Sequence, residues 1–242
     1  MSNGEEREEL ADLARLFNSI LGHDLRNPLS AIKMGAQMLL GSPTAPTDER
    51  TKRIAVRVVN SADRMTRMIE ELLDFTRVRL GAGLDLNPSL FNLGELVTDL
   101  AEEIHAANSA RQLNLEKSGD LVGTWDRDRL TQVFSNLLAN AAVHGDVAVP
   151  VTVIMRGDDP AVLTVDVKNG GAIPPDILPE ICKPFRRGAS SARKGLGLGL
   201  YIAEEIVRLH GGKMTFTSTP EDGTCFRVSI LRFPAGTELS IP

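Results

Sequence analysis

A chain of 242 residues with 42% hydrophobic and 24% charged side chains is long enough for one large or two modest globular domains. Its 27 basic and 32 acidic residues leave a net charge of −5, which speaks against a nucleic-acid partner because no stretch supplies a positive footprint. Aromatic residues are only 4%, so the core must be mostly aliphatic. The two cysteines, Cys182 and Cys225, lack CxxC spacing and come with four histidines, so neither a disulfide framework nor a zinc site is suggested and a cytoplasmic setting is expected. With no run of about 18 apolar residues and no basic-then-apolar leader, no membrane contact is expected from this chain.

Acidic residues of the run Glu5 to Glu9 suit a helix start, and Leu10, Leu13, Phe17 and Ile20 then recur at helical spacing. Helical periodicity continues to about Leu40. Within it, Pro28 removes a donor and crowds the Asp24 carbonyl, so the helix must bend just beyond His23. A titratable imidazole thus lies beside the Asp24 carboxylate on the turn before a kink. Position 27 is one turn further on, so the Asn27 amide can reach a group that docks near the ring.

Residues 41–47 break the helix with a glycine and two prolines. From about Asp48 to Leu80, Val58, Met65 and Leu72 fall on one heptad line and Ile54, Ser61, Met68 and Phe75 on another. Two such helices form an antiparallel hairpin. Because one hairpin cannot bury both sides of these helices, a homodimer with a four-helix bundle is expected, the alternative being an intrachain hairpin packed on the second domain.

The organisation predicted is a hairpin domain over 1–82, a linker over 83–89 and a second domain over 90–242. In the second domain the pattern predicts helices at 94–109, 126–143 and 198–210. Strands are predicted near 113–115, 121–125, 150–156, 161–168, 213–218 and 224–231. This alternation suggests a two-layer α/β sandwich, making the whole an α+β multidomain protein.

Several motifs of the second domain suit phosphate chemistry. Asn136 and Asn140 are four residues apart on one helix face, where two neutral oxygen donors can complete the coordination of a Mg²⁺ held also by triphosphate and water. Asparagines that cap or bridge a loop would read the same way. Gly195, Gly197 and Gly199 precede a helix, so backbone N–H groups can approach phosphate oxygens. Arg186, Arg187, Arg193 and Lys194 lie just upstream, in a segment too polar to pack a core and suited to a lid over a nucleotide.

The motifs His23-Asp24-x-x-Asn27-Pro28, Asn136-to-Asn140, Gly195 to Gly199 and Asp222-Gly223-Thr224, in this order and spacing, resemble those of the sensor histidine kinases of two-component signalling. The resemblance extends over nearly the whole chain. It implies a phospho-acceptor and dimerisation hairpin followed by an ATP-binding domain of the Bergerat or GHKL fold. ATP and Mg²⁺ would serve the reaction, and the receiver domain of a response regulator would be the partner. Carried over residue by residue, His23 accepts the γ-phosphate and Asp24 orients its ring; the one-turn spacing from His23 then suits Asn27 to support a phosphatase activity toward the regulator. Asn140 becomes the metal ligand and Asn136 its neighbour in the metal and phosphate shell. Arg186, Arg187, Lys194, Gly195, Gly197 and Gly199 fall in the ATP lid and its glycine box, and Thr224 would reach the base.

This sequence departs from the family at three places. Val143 stands where a phosphate-contacting Lys or Arg is frequent, leaving His144 as the donor. Cys182 and Lys183 replace an aromatic and an acidic residue ahead of Pro184-Phe185. The adenine-binding Asp has no direct counterpart before Gly170-Gly171. Strand alternation favours Asn169 for that role, whereas counting back from Ile173 without a gap gives Lys168, which presents no acceptor. These departures keep open a non-catalytic dimeric docking module beside the kinase. A chaperone or mismatch-repair ATPase of the same superfamily fits less well, because the chain carries a histidine-bearing hairpin.

Overall fold

The computed structural model describes residues 26–41, 49–81, 83–107, 112–186 and 196–233. They fall into two compact units, one holding the first two helices and the other holding every later strand and helix. The helix expected upstream of residue 26, the bend beyond His23, the break after Gly41 and all of the basic segment 186–194 except Arg186 lie outside the described residues.

Helices α1 (Arg26–Gly41) and α2 (Glu49–Arg79) pack on each other as a hairpin. Its buried line is made of Leu29 and Ala36 on α1 and of Ala55, Ala62 and Leu73 on α2. Small residues at a seven-residue interval let the helices approach, and Lys33 bridges to Asp63 at 2.6 Å. Several larger apolar side chains point away from this seam. Ile32, Met34, Met38 and Leu39 on α1, with Ile54, Val56 and Met65 on α2, are exposed. Of the two heptad lines expected to form the bundle seam, Ile54 and Met65 are left uncovered within the single hairpin, where the alanines form the intrachain contact.

In the second unit, β2 (Leu113–Gly119), β4 (Val151–Gly157), β5 (Val162–Asn169), β7 (Gly223–Leu231) and β6 (Lys213–Thr219) form one sheet in the order β2-β4-β5-β7-β6. Only β2 and β4 are parallel. A separate antiparallel ribbon joins β1 (Ser89–Asn92) to β3 (Val122–Trp125). Helices α3 (Leu93–Ala107), α4 (Arg127–His144) and α5 (Gly199–Leu209) make the second layer, with α4 packed between the other two.

The core lies between these layers. Val153, Met155, Leu163, Val165, Val167, Val228 and Ile230 from the sheet meet Leu130, Val133, Phe134, Leu137, Ile202 and Ile206 from the helices, all essentially without exposure. Each such side chain contributes roughly 1.5–3 kcal/mol on burial. The opposite sheet face is polar, and it carries the fully buried Asp166 carboxylate between Arg156 and Arg227.

Two elements differ from the sequence expectation. The strand β1 is absent from it, since a four-residue segment with exposed Ser89 and Leu90 has no apolar alternation to detect. The strand expected near 113–115 runs on to Gly119, because its parallel ladder with β4 continues to the Gly119↔Gly157 pair although the side chains there are polar.

Candidate functional site

Helix α4 is the axis of the candidate site. Asp126 caps it in extended geometry, its Oδ1 accepting the Arg129 N–H at 3.0 Å while Oδ2 accepts the Asn87 N–H at 2.7 Å. Leu130, Val133, Phe134, Leu137, Leu138 and Ala141 fix its inward face, which leaves Asn136 and Asn140 half-buried along another line.

Around Asn136 the chain closes tightly. Its Nδ2 donates to the Gly199 carbonyl at 3.3 Å, and a Cβ at position 199 would stand 3.1 Å from Asn136 Oδ1. The middle of α4 therefore meets the first residue of α5. Gly197, with φ +71°, makes the turn just ahead of that helix, a conformation that glycine adopts without strain. Among the described residues no hydrogen bond engages the Asn140 amide, so its carbonyl oxygen is available to a metal. The donor set therefore fits a Mg²⁺ that takes most of its oxygens from phosphate and water.

The far end of α4 meets the turn after β5. Asp146 N–H donates to the Gly170 carbonyl at 2.9 Å, and the Asn169 Nδ2 donates to the same oxygen at 2.8 Å. Turning that amide over would set its oxygen against the Gly170 carbonyl, so Oδ1 is the atom left for a ligand. Asn169 is almost wholly buried on the helix-covered face with Val165 and Val167. Lys168 alternates to the open face, where it stands opposite Thr152 and Cys225.

A chain of hydroxyls fixes the same turn. Thr224 Oγ1 donates to the Gly171 carbonyl at 2.9 Å, lies 2.8 Å from Ser218 Oγ, and Ser218 Oγ accepts the Ile173 N–H at 2.8 Å. The proton of Thr224 is thus committed to the turn. Gly171 has φ +87°, and Gly223 approaches so closely that a Cβ there would lie 2.3 Å from the Asn169 carbonyl oxygen.

The structure thus brings Asn136 to Gly199, and Asn169, Gly171 and Thr224 to the loop after α4. His144 is exposed at the end of α4, next to the exposed Val143. Arg186 turns elsewhere, its Nη2 lying 2.6 Å from Glu180. Hydrogen bonds from Lys183 and the charge of Arg186 hold the Glu180 carboxyl below its usual range against the cost of burial. Burial, followed by the Glu204 charge, pushes the Cys182 thiol up to about 12. His23, Asp24, Arg187, Lys194 and Gly195 lie outside the described residues, as does the side chain of Asn27.

Sequence reasoning missed Ser218 and His210. Ser218 belongs to a polar edge strand with no motif. His210 stands just before Gly211-Gly212, and that position signalled only the end of a helix.

Residues 13–81 match the His Kinase A (phospho-acceptor) domain family, and residues 125–235 match the family described as histidine kinase-, DNA gyrase B-, and HSP90-like ATPase. The sensor protein VanS of Enterococcus faecium is 31% identical over 95% of this chain and 61% of its own length. A bacteriophytochrome of Pseudomonas aeruginosa is 31% identical over 90% of this chain and 30% of its own length. The chain therefore spans less than two thirds of either relative. Among solved structures, the catalytic domain of histidine kinase ThkA is 28% identical with a TM-score of 0.54, covering 61% of this chain and 99% of that one. The structure of ThkA in complex with response regulator protein TrrA is 25% identical with a TM-score of 0.60, covering 96% of this chain and 66% of that one. Matched by the phospho-acceptor family and then by the ATPase family in this order, the chain belongs to the sensor histidine kinases of two-component signalling.

Proposed function

We propose that this chain transfers the γ-phosphoryl group of ATP to His23 and passes it on to an aspartate of a response-regulator receiver domain. The single observation that carries this reading is the arrangement around α4. The unengaged Asn140 amide and the Asn136–Gly199 contact lie along α4, and the fixed Asn169 amide lies by its end, a set of neutral donors and acceptors that suits a triphosphate with its metal and a purine. In the transfer, an imidazole nitrogen of His23 bonds to the γ-phosphorus as the bond to the ADP oxygen breaks, and Asp24 orients the ring. A bound Mg²⁺ would neutralise charge on the phosphates, with Asn140 and Asn136 as its protein side. Asn169 would accept from the adenine amino group, while Gly195, Gly197, Gly199, Arg187, Lys194 and His144 would serve the phosphates, and Arg186 could join them only by leaving Glu180. Asn27 would aim a water at the acyl phosphate of the regulator.

The proposed organisation is a hairpin domain over 1–82, a linker over 83–89 and a catalytic domain over 90–242, in a cytoplasmic homodimer. The exposed Ile32, Met34, Met38 and Leu39 of α1, with Ile54, Val56 and Met65 of α2, support the dimer, since a second hairpin would cover them in a four-helix bundle. No helix among the described residues is long and apolar enough to cross a membrane.

Incubation with γ-labelled ATP and Mg²⁺ tests the reading. Acid-labile, base-stable label on the wild-type chain and none on His23→Gln is the expected result. A wild-type chain that stays unlabelled, in the presence or absence of a receiver domain, would leave the docking module as the better description.

A further inference from the structure

We propose that His210 is a positioning residue for the nucleotide site, holding α5 in register on α4 so that Gly199 stands at Asn136. The proposal rests on the nucleotide reading of that site and concerns a residue outside its motifs.

The argument begins at the cap of α4. An N-cap residue has no intrahelical acceptor for its own N–H, and Asp126 is buried, so water cannot serve instead. The acceptor is the ring of His210, whose Nε2 lies 3.1 Å from the Asp126 nitrogen across 84 residues of sequence. Accepting at Nε2 places the ring proton on Nδ1, which donates to the Ile206 carbonyl at 2.8 Å. Only the neutral imidazole with this tautomer satisfies both partners. His210 is 1% exposed, and burial lowers its pKa against the opposing pull of the Ile206 carbonyl and the Asp126 charge, which keeps it in that form at neutral pH.

The second point of contact is the Asn136 bond to Gly199. From Asp126 to Asn136 is ten residues and from Gly199 to His210 eleven, so at 1.5 Å per residue both spans come to about 15–17 Å. Two antiparallel helices are therefore pinned at two places with matching separation. A slip of one residue would break both bonds. The ring at one end thus governs which backbone group faces Asn136 at the other, although His210 itself lies about 15 Å from it along the helix.

Two conservative variants of the full chain separate positioning from simple packing. In His210→Gln the longer amide brings an oxygen to the place of Nε2, so the Asp126 N–H keeps an acceptor. In His210→Asn the amide reaches only the place of Nδ1, so the Ile206 bond survives and the Asp126 bond is lost. The dissociation constant for ATP, the KM and kcat of autophosphorylation, and the exchange rate of the Asp126 amide are measured on each. The Gln variant should stay within about twofold of wild type, while the Asn variant should lose about fivefold or more in ATP affinity, with KM moving more than kcat and the Asp126 amide exchanging faster. Equal affinities in folded Gln and Asn variants overturn the proposal, as does an affinity loss that only tracks the fraction unfolded. Should His210→Asn fail to fold, a comparable loss in folded His210→Gln would likewise overturn it. A wild-type chain that binds no ATP overturns the nucleotide reading and the positioning role together, whereas wild-type binding with indifferent variants overturns the positioning role alone.

Discussion

The Asn136 amide nitrogen lies 3.3 Å from the Gly199 carbonyl oxygen, so a hydrogen bond ties the middle of α4 to the first residue of α5. A Cβ added at Gly199 would press on that amide at 3.1–3.3 Å, tighter than ordinary contact but with a side chain able to yield. Gly199→Ala should therefore leave the fold intact, helped by the better helix propensity of alanine, yet turn Asn136 from its place. The expected outcome is a thermal midpoint at or above wild type with ATP affinity reduced about fivefold, read by calorimetric titration. Unchanged affinity would show that Asn136 makes no contact to the ligand.

Asn169 gives a separate test of the proposed adenine site. With its Nδ2 held by the Gly170 carbonyl, Oδ1 is presented as a fixed neutral acceptor. A neutral acceptor makes a bond weaker than a carboxylate would by about 1 kcal/mol, so ATP binding should be modest. Removing it in Asn169→Ala should weaken ATP and erase the preference over GTP, whose base carries a carbonyl where adenine has its amino group. Competition between the two nucleotides on the folded variant measures this directly.

How legible the sequence is depends on the range of the interaction. Helix α4 announces itself through Asp126 and the three-and-four spacing of Leu130, Val133, Phe134 and Leu137, all local signals. The side on which Asn169 stands follows from the alternation of Val165 and Val167, and the burial of all three residues agrees. By contrast, β1 and the outer half of β2 exist because a partner strand supplies their backbone bonds, and their side chains carry no trace of it. The His210–Asp126 link is invisible for the same reason, since neither residue type marks an acceptor for the other across 84 positions. Glycine spacing indicated a tight turn at 195–199 but not that its last residue meets Asn136.

On the open face of the sheet, Asp166 is fully buried and accepts from Arg227 at 2.6 and 2.7 Å and from Arg156 at 2.9 Å, tying β5 to β7 and β4. Burial works against its charge, but the bonds from Arg227 and Arg156 outweigh it and leave the pKa below the ordinary 3.8. A carboxylate with a depressed folded pKa stabilises fully above its unfolded value, so this contribution persists to about pH 4 and fades as the pH falls further. Because both guanidiniums are 41–51% exposed, the loss in Asp166→Asn should be discounted to about 2 kcal/mol, seen as a lower denaturation midpoint at pH 7. The gap between variant and wild type should narrow in acid.

His210 also loses its contribution in acid, but at a higher pH than Asp166. Its folded pKa lies below the ordinary 6.5, first because burial penalises the charged ring, with the Ile206 carbonyl and the facing Asp126 carboxylate only partly offsetting this. A base that is harder to protonate when folded binds fewer protons than the unfolded chain below pH 6.5. Stability from this group is therefore complete above 6.5 and declines as the pH falls toward the folded value. Protonation would also put a donor where Nε2 must accept, breaking the bond from the Asp126 N–H. Thermal midpoints taken from about pH 7.5 down to about pH 5 should thus fall more steeply for wild type than for His210→Gln, whose amide does not titrate. The Asp126 amide should begin to exchange over the same range in wild type alone. Parallel pH profiles for the two proteins would mean that the ring remains neutral throughout, or that its protonation is absorbed without loss of the cap.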